Sequence, residues 1–258
     1  MNRLPSALHV LRKGTECLVV GGRNQASGAA SPRPSSISEQ EHLMDADNVL
    51  VVDENDNMIG HSTKREVHWK ETISLHRAFS VFAFTPQKEL ILHKRAASKI
   101  TFPSLWTNAC CSHPLKGMPY DETEGNAGVR RAATRKLAQE LRLENVREEE
   151  LLPMGRYHYQ AVDVRSSWGE HEMDYALVLR GVERERVSRP NPDEVESIRF
   201  VTAPQLEEWI RKDPLSFTPW FRLFYEQRIL DKWWQRIESE DKELLKMAPE
   251  RIVRMGVL

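Results

Sequence analysis

Thr101-Phe-Pro-Ser-Leu-Trp-Thr-Asn-Ala-Cys-Cys-Ser-His-Pro114 sets the frame in which the rest of the chain is read. Aromatics lead into it, Pro114 closes it, and Cys111 and His113 stand two residues apart. In an extended backbone, residues i and i+2 point to the same face. A thiol able to exchange a proton and an imidazole able to bind a metal are therefore expected side by side. The spacing recurs at Trp168-Gly-Glu-His-Glu-Met-Asp174, where Glu170 and Glu172 share a face and His171 points away. These two same-face pairs are the core of the functional reading.

Upstream, Asn48-Val-Leu-Val-Val-Asp53 reads as a strand, Asp53-Glu-Asn-Asp-Asn57 as a turn, and Met58-Ile-Gly60 as the return. His76–Phe84 alternates enough for a central strand. Pro86-Gln-Lys-Glu89 then turns the chain and Leu90–Arg95 pairs back. Downstream, Val129, Ala133, Leu137 and Leu141 recur at a spacing of four, which predicts a helix over Asn126–Leu141 with one packed face. Strands are expected again over Met154–Ala161, Glu172–Leu179 and Ile198–Thr202, with Pro190-Asn-Pro-Asp-Glu194 as a loop between the last two. Ala203–Arg211 reads as a helix. Trp220 to about Glu238 reads as one long helix with Leu223, Leu230, Trp234 and Ile237 on one side. Strands interleaved with helices, some joined as hairpins, give an α/β (α+β) class, a mixed sheet covered by helices.

At 258 residues and a net charge of −1, the chain is long enough for one large domain with a buried core. The near-zero balance gives no reason to expect nucleic acid, and no apolar run is long enough to span a bilayer. Cys17, Cys110 and Cys111 form an odd, sparse set that suits a reducing compartment and makes no disulfide framework. Residues 1–38 hold Arg3, Arg12, Lys13, Arg23 and Arg33 against a lone Glu16, and Gly21–Ser38 is rich in Gly, Ser, Ala and Pro. Residues 1–44 are accordingly expected to be a disordered extension, or a mitochondrial targeting segment, ahead of a domain over residues 45–258. The cytoplasm is the expected compartment, with the mitochondrion as the alternative. Met255-Gly-Val-Leu258 is not a peroxisomal address.

His68, His76, His113, Glu170 and Glu172 would together supply nitrogen and oxygen donors without thiolate, a set suited to Mn²⁺, Mg²⁺ or Zn²⁺. Their spacing follows no local metal motif, and His9, His42, His61, His93, His158 and His171 are further candidates. Singly, His68 and His76 each read more readily as an ordinary surface or hydrogen-bonded residue than as a ligand. Lys64, Arg95, Lys99 and Lys136 fall near these positions. Guanidinium forks and ammonium charges are what a diphosphate needs, although a solvated surface accounts for any single lysine. Trp220, after Phe217-Thr-Pro219, is either core packing or an aromatic face for a cation. Cys111 reads as a proton shuttle, with a thiol nucleophile beside His113 as the rival. A metal-bound His113 could not be the base that a nucleophile requires, which ranks the shuttle first.

Thr101 through Pro114, together with Trp168-Gly-Glu-His-Glu172, resembles the type I isopentenyl-diphosphate delta-isomerases of the Nudix superfamily. The likeness continues through Val52-Asp-Glu-Asn-Asp-Asn57, Leu75-His-Arg-Ala-Phe-Ser-Val81, Asn191-Pro-Asp-Glu194, Thr218-Pro-Trp220 and Lys232-Trp-Trp234. It implies a Nudix-type α/β/α sandwich and an enzyme of isoprenoid biosynthesis. Such an enzyme moves the double bond of isopentenyl diphosphate to give dimethylallyl diphosphate, by protonation and deprotonation through a carbocation. By the same resemblance, His68, His76, His113, Glu170 and Glu172 hold the divalent metal. Cys111 and Glu172, the latter with the Tyr159 hydroxyl beside it, work on opposite faces of the substrate, and Trp220 lies against the cation. Lys64, Arg95, Lys99 and Lys136 meet the diphosphate, and Glu140 helps hold a Mg²⁺ bound to it. A monomer acting on a small molecule, without membrane insertion, is expected.

An unactivated alkene is a very weak base, so its acid must be held close and dry. A Nudix hydrolase, the nearest rival, carries a helix patterned Arg-Glu-x-x-Glu-Glu. The matching stretch here is Arg135-Lys-Leu-Ala-Gln-Glu140, so Lys136 and Gln139 remove two carboxylates of a hydrolytic metal clamp. Arg142 stands where a helix-ending glycine is usual. A third reading, a diphosphate-binding protein without catalysis, would have no need of Cys111 and Glu172.

Overall fold

The computed structural model describes residues 34–238 and 251–257. The chain enters through a helix, Pro34–Ala46 (α1), and a hairpin of Asn48–Val52 (β1) and Met58–Thr63 (β2). The short helix Lys64–His68 (α2) follows at once. It is started by a capping box in which the Thr63 hydroxyl accepts from the Glu66 N–H and the Glu66 carboxylate accepts from the Thr63 N–H. His76–Phe84 (β3), Leu90–Arg95 (β4), Trp106–Thr107 (β5) and Cys110–Ser112 (β6) lead to the helix Asn126–Leu141 (α3). Leu152–Val162 (β7), Gly169–Arg180 (β8) and Val195–Val201 (β9) follow. Ala203–Lys212 (α4), Pro219–Glu226 (α5), Ile229–Glu238 (α6) and the strand Val253–Val257 (β10) complete the order.

The strands run β10-β7-β8-β3-β1-β2, with β4 and β6 also on β3, and with β5 and β9 on β4. β3 lies parallel to β8 from His76 opposite Glu172 to Phe84 opposite Arg180. β7 is antiparallel to β8 and sets Tyr159 opposite Glu172. The sheet is therefore mixed, and pleat alternation divides its core in two. Phe82, Phe84 and Val178 pack with Phe221, Phe224, Trp233 and Trp234 of α5 and α6. Phe79, Val81, Met173 and Leu177 pack with Val129, Ala133, Leu137 and Leu141 of α3. Each buried Val, Leu, Met or Phe among them stabilises the layers by roughly 1.5–3 kcal/mol, and helices on both faces make an α/β/α sandwich. The α5–α6 face changes character along its length. It runs from His76, Glu170 and Glu172 at one end of β3 and β8 to Phe82, Phe84 and Val178 at the other. The polar end buries a histidine and two carboxylates, and the apolar end belongs to the core.

The structure revises the expected boundaries. α1 crosses residue 45, so residues 34–44 are helical and not a disordered extension. The expectations for residues 1–33, Cys17 included, lie outside the described residues. The single long final helix is two helices. The Gln227 N–H bonds to Leu223 O, Arg228 turns left-handed at φ 58°, and α6 begins afresh at Ile229. Leu223, Leu230, Trp234 and Ile237 are still all buried. The Gln227 amide donates to Met255 O at 3.1 Å, which ties this break to β10, a strand not foreseen. Among the described residues, no helix is long and apolar enough to cross a membrane.

Candidate active site

His68 ends α2, His76 opens β3, His113 follows β6, and Glu170 and Glu172 share one face of β8. All five are buried, and one ligand atom from each lies within 4.8 Å of the others. His68 Nδ1 donates to Lys64 O at 2.7 Å and His76 Nδ1 to Ser74 O at 2.8 Å. These bonds make Nδ1 the donor in both rings and turn each Nε2 towards the group. His76 Nε2 is 3.2 Å from His113 Nε2, His113 Nε2 is 3.1 Å from Glu172 Oε1, and His68 Nε2 is 2.8 Å from Glu170 Oε2. Glu170 Oε2 nevertheless makes no well-formed hydrogen bond. The donors face one another as ligands around a shared cation do.

Burial drives His76 down to about 3, and burial with His76 and His68 alongside takes His113 well below the usual imidazole range. Both are thus neutral lone-pair donors. Burial alone would raise Glu170, but the adjoining His68 overrides it and holds the carboxyl at about 2. Glu172 is pushed well above the usual range by burial, then by Glu170 and Asp174. The donor set fits a divalent ion with more than four ligands better than a tetrahedral thiolate site.

The cavity lined by His68, His113, Glu170 and Glu172 is also lined by Cys111, Tyr159 and Trp220. His76 is fully buried behind it. Tyr159 donates its hydroxyl to Glu172 Oε2 at 2.5 Å. Burial pushes both the Tyr159 phenol and the Cys111 thiol up, so each carries its proton at neutral pH. Arg95 Nη1 lies 3.8 Å from Cys111 Sγ and opposes that rise. The rest of its guanidinium donates to Phe102 O at 3.1 Å and Thr101 O at 2.8 Å, and its Cζ is 5.6 Å from the Trp220 ring centroid. Trp220 Nε1 donates to Asn108 Oδ1 at 3.2 Å, and the Asn108 amide donates to Cys110 O at 2.7 Å. One buried asparagine thus ties the ring to the strand that carries Cys111.

Lys64, Arg95, Lys99, Lys136 and Glu140 line the same cavity. Lys64 pairs with Asp47, and burial lowers its pKa. Lys136 Nζ is 3.1 Å from Glu140 Oε1. Burial would lower Lys136, but Glu140 and Glu194 raise it and keep the ammonium charged. Every site residue expected from the sequence is brought into this cavity or directly behind it. Gln40, Leu43 and Met44 of α1 also line it, as does Glu194, and sequence reasoning gave none of them a role. Glu194 did stand inside the quoted Asn191-Pro-Asp-Glu194. An adjacent apolar pair such as Leu43-Met44 carries no periodic signal.

Residues 74–221 match the NUDIX domain. The chain is 45% identical over 212 residues to isopentenyl-diphosphate delta-isomerase I of Camptotheca acuminata, an alignment spanning 78% of this chain and 88% of that protein. It is 43% identical over 212 residues to the chloroplastic isopentenyl-diphosphate delta-isomerase I of Arabidopsis thaliana, spanning 78% and 71%. Isopentenyl-diphosphate delta-isomerase II of Clarkia xantiana is 42% identical over 225 residues, spanning 83% and 76%.

Proposed function

The chain belongs to the isopentenyl-diphosphate delta-isomerases of the Nudix family, and on that premise we propose that Cys111 and Glu172 are its two proton-transfer groups. The protein converts isopentenyl diphosphate to dimethylallyl diphosphate. One proton is added to the terminal alkene carbon, leaving a tertiary cation. Another is removed from the carbon next to the CH₂–O group, which sets the new double bond.

The observation that carries the proposal is that a proton-bearing thiol and a carboxyl raised above its ordinary range line one cavity with the Trp220 ring. Arg95 stands close enough to Cys111 Sγ to favour the thiolate when the proton leaves. The Tyr159 hydroxyl holds Glu172 Oε2 and can follow its change of charge. Trp220, oriented through Asn108, offers its π face to the cation, which water would otherwise attack. Lys64, Arg95, Lys99 and Lys136 anchor the diphosphate, and Glu140 would help to hold a Mg²⁺ brought with it. Mn²⁺, Mg²⁺ or Zn²⁺ in the His/Glu group would supply the positive charge that makes two buried carboxylates tolerable side by side. We place the enzyme in the cytoplasm as a monomer. The basic segment before residue 38 supports the mitochondrion as the alternative.

The test is turnover of isopentenyl diphosphate with Mg²⁺ in D₂O, followed by NMR. Deuterium should enter the new methyl group of dimethylallyl diphosphate. Cys111→Ala and Glu172→Gln should each lower that rate by about 10²–10⁴-fold. Phosphate released without isomerised product would make the protein a hydrolase, and diphosphate binding without either product would make it a binder.

A further inference from the structure

Glu194 takes no part in the chemistry above, yet the cationic end of the cavity is built on its carboxylate. It is 5% exposed and lies between the Asn191 turn and β9. Its Oε2 accepts from Lys99 Nζ at 2.6 Å. Its Oε1 accepts from Gln139 Nε2 at 3.2 Å and from Gln40 Nε2 at 3.4 Å, with Lys136 Nζ at 3.9 Å. These partners come from α1, from the turn after β4 and from α3, three elements far apart in the chain. Burial would raise Glu194, but Lys99 and Lys136 hold it at about 2, so it is ionised under any working condition.

From this geometry we infer that Glu194 is a positioning residue for the diphosphate, holding the ammonium groups of Lys99 and Lys136 where phosphate oxygens meet them. The inference rests on the reading of those two lysines as diphosphate contacts. An ammonium has three N–H donors. Lys99, giving one to Glu194, keeps two for phosphate. Lys136, giving one each to Glu140 and Gln139 with Glu194 as a charge partner at 3.9 Å, keeps one. A lysine stem without a partner ranges over many rotamers, and ordering it on binding costs affinity. Lys136 keeps Glu140 as a second partner, whereas Lys99 sits on a turn with Glu194 as its ion-pair partner. Lys99 therefore depends on Glu194 the more. Gln139 completes the arrangement: its Oε1 accepts from Lys136 at 3.1 Å while its Nε2 donates to Glu194. A glutamate at position 139 would set a second carboxylate against Glu194 where an amide now bridges the carboxylate and the ammonium.

A carboxylate that only occupies the lysines would compete with diphosphate, and removing it would tighten binding. The sign of the KM change separates the two. Steady-state kinetics on the full chain should use Glu194→Gln, Glu194→Asp, Lys99→Ala, Lys136→Ala and the Glu194→Gln/Lys99→Ala double variant. Glu194→Gln should raise KM roughly tenfold, the worth of one charge-assisted hydrogen bond, with kcat within about twofold. Glu194→Asp, which keeps the charge, should recover part of that loss. In the Lys99→Ala background the Glu194 change should raise KM by less than it does alone, because it acts through the lysine. An unchanged or lowered KM for Glu194→Gln overturns the inference, as does full additivity in the double variant or a fall in kcat alone. If Lys99→Ala and Lys136→Ala leave KM unmoved, the diphosphate assignment of the lysines fails instead, and this inference falls with it.

Discussion

At Glu172 the decisive neighbour is Tyr159, which faces it across the β7–β8 pair and donates to Oε2 at 2.5 Å. Removing that donor leaves a buried carboxylate oxygen unsatisfied without disturbing the lysines proposed to grip the diphosphate. Tyr159→Phe should therefore lower kcat by about 10–100-fold while KM changes little, the range for one hydrogen bond to a charged group. A kcat within twofold of the parent would take the tyrosine out of the reaction. His93, on β4, governs stability instead. It is fully buried with Nδ1 donating to Ala109 O at 2.8 Å, and burial pushes it down to about 4. In the unfolded chain the imidazole takes up its proton near ~6.5. The unfolded state thus binds more protons as pH falls from about 6.5 to about 4, and stability is lost across that window. The loss amounts to about 2 kcal/mol by pH ~4.5. Urea unfolding of His93→Asn, which keeps a donor near the Nδ1 position, should show a fall between neutral pH and ~4.5 that is smaller by about that amount. An identical fall in both proteins would clear His93 of any part in acid sensitivity.

α3 carries opposite predictions at its two ends. A Cβ on Gly128 would lie 2.4 Å from both Asp121 O and Thr123 O, backbone atoms that cannot swing aside. Helix propensity alone favours alanine there by ~1 kcal/mol. Gly128→Ala should nevertheless destabilise by about 2 kcal/mol or more, because the loop before the helix must shift. At the far end Arg142 is left-handed at φ 53° and exposed, with its N–H on Leu137 O. Arg142→Gly should stabilise by ~0.5–1 kcal/mol, since glycine meets no Cβ penalty there. Equilibrium urea unfolding reads both: a stabilising Gly128→Ala would mean that helix propensity outweighs the loop contact, and a destabilising Arg142→Gly that the left-handed arginine carries no strain worth removing. These contrasts mark what could be read at this scale. The body of α3 was legible because Val129, Ala133, Leu137 and Leu141 repeat at helical spacing, and β3 because His76–Phe84 alternates as a strand does. The Gly128 contact was not legible, being made to the preceding loop. Nor was the α5–α6 break, since the apolar repeat runs unbroken through Gln227 and Arg228, and arginine gives no sign of a left-handed backbone.

Across the whole molecule, what joins the elements is the His/Glu group, with ligands from α2, β3, the end of β6 and β8. The pairs Cys111/His113 and Glu170/Glu172 could be read from the sequence because i, i+2 geometry is local. Their meeting with His68 and His76 could not. It depends on β3 lying parallel to β8 so that His76 falls opposite Glu172, a pairing across ninety-odd residues that no periodicity encodes. The resemblance supplied it. α1 over the cavity lay outside that resemblance and was missed. A cation at this junction would bind the folded chain and not the unfolded one, so it would stabilise all four elements at once. Free ion at 1,000 times its dissociation constant contributes about 4 kcal/mol. At ~2–4 °C per kcal/mol for a chain of this size, EDTA should lower the thermal midpoint by roughly 10 °C. Mn²⁺, Mg²⁺ or Zn²⁺ should restore it, and the ion that does so at the lowest free concentration is the one the donor set selects. Glu170→Gln, which replaces a charged oxygen ligand by a neutral amide, should start from a lower midpoint and respond less to the chelator. A parent protein indifferent both to EDTA and to added ions would mean that the five residues are a hydrogen-bonded core cluster. The acidity of Glu172 would then have to be set by burial, Tyr159 and its neighbouring carboxyls alone.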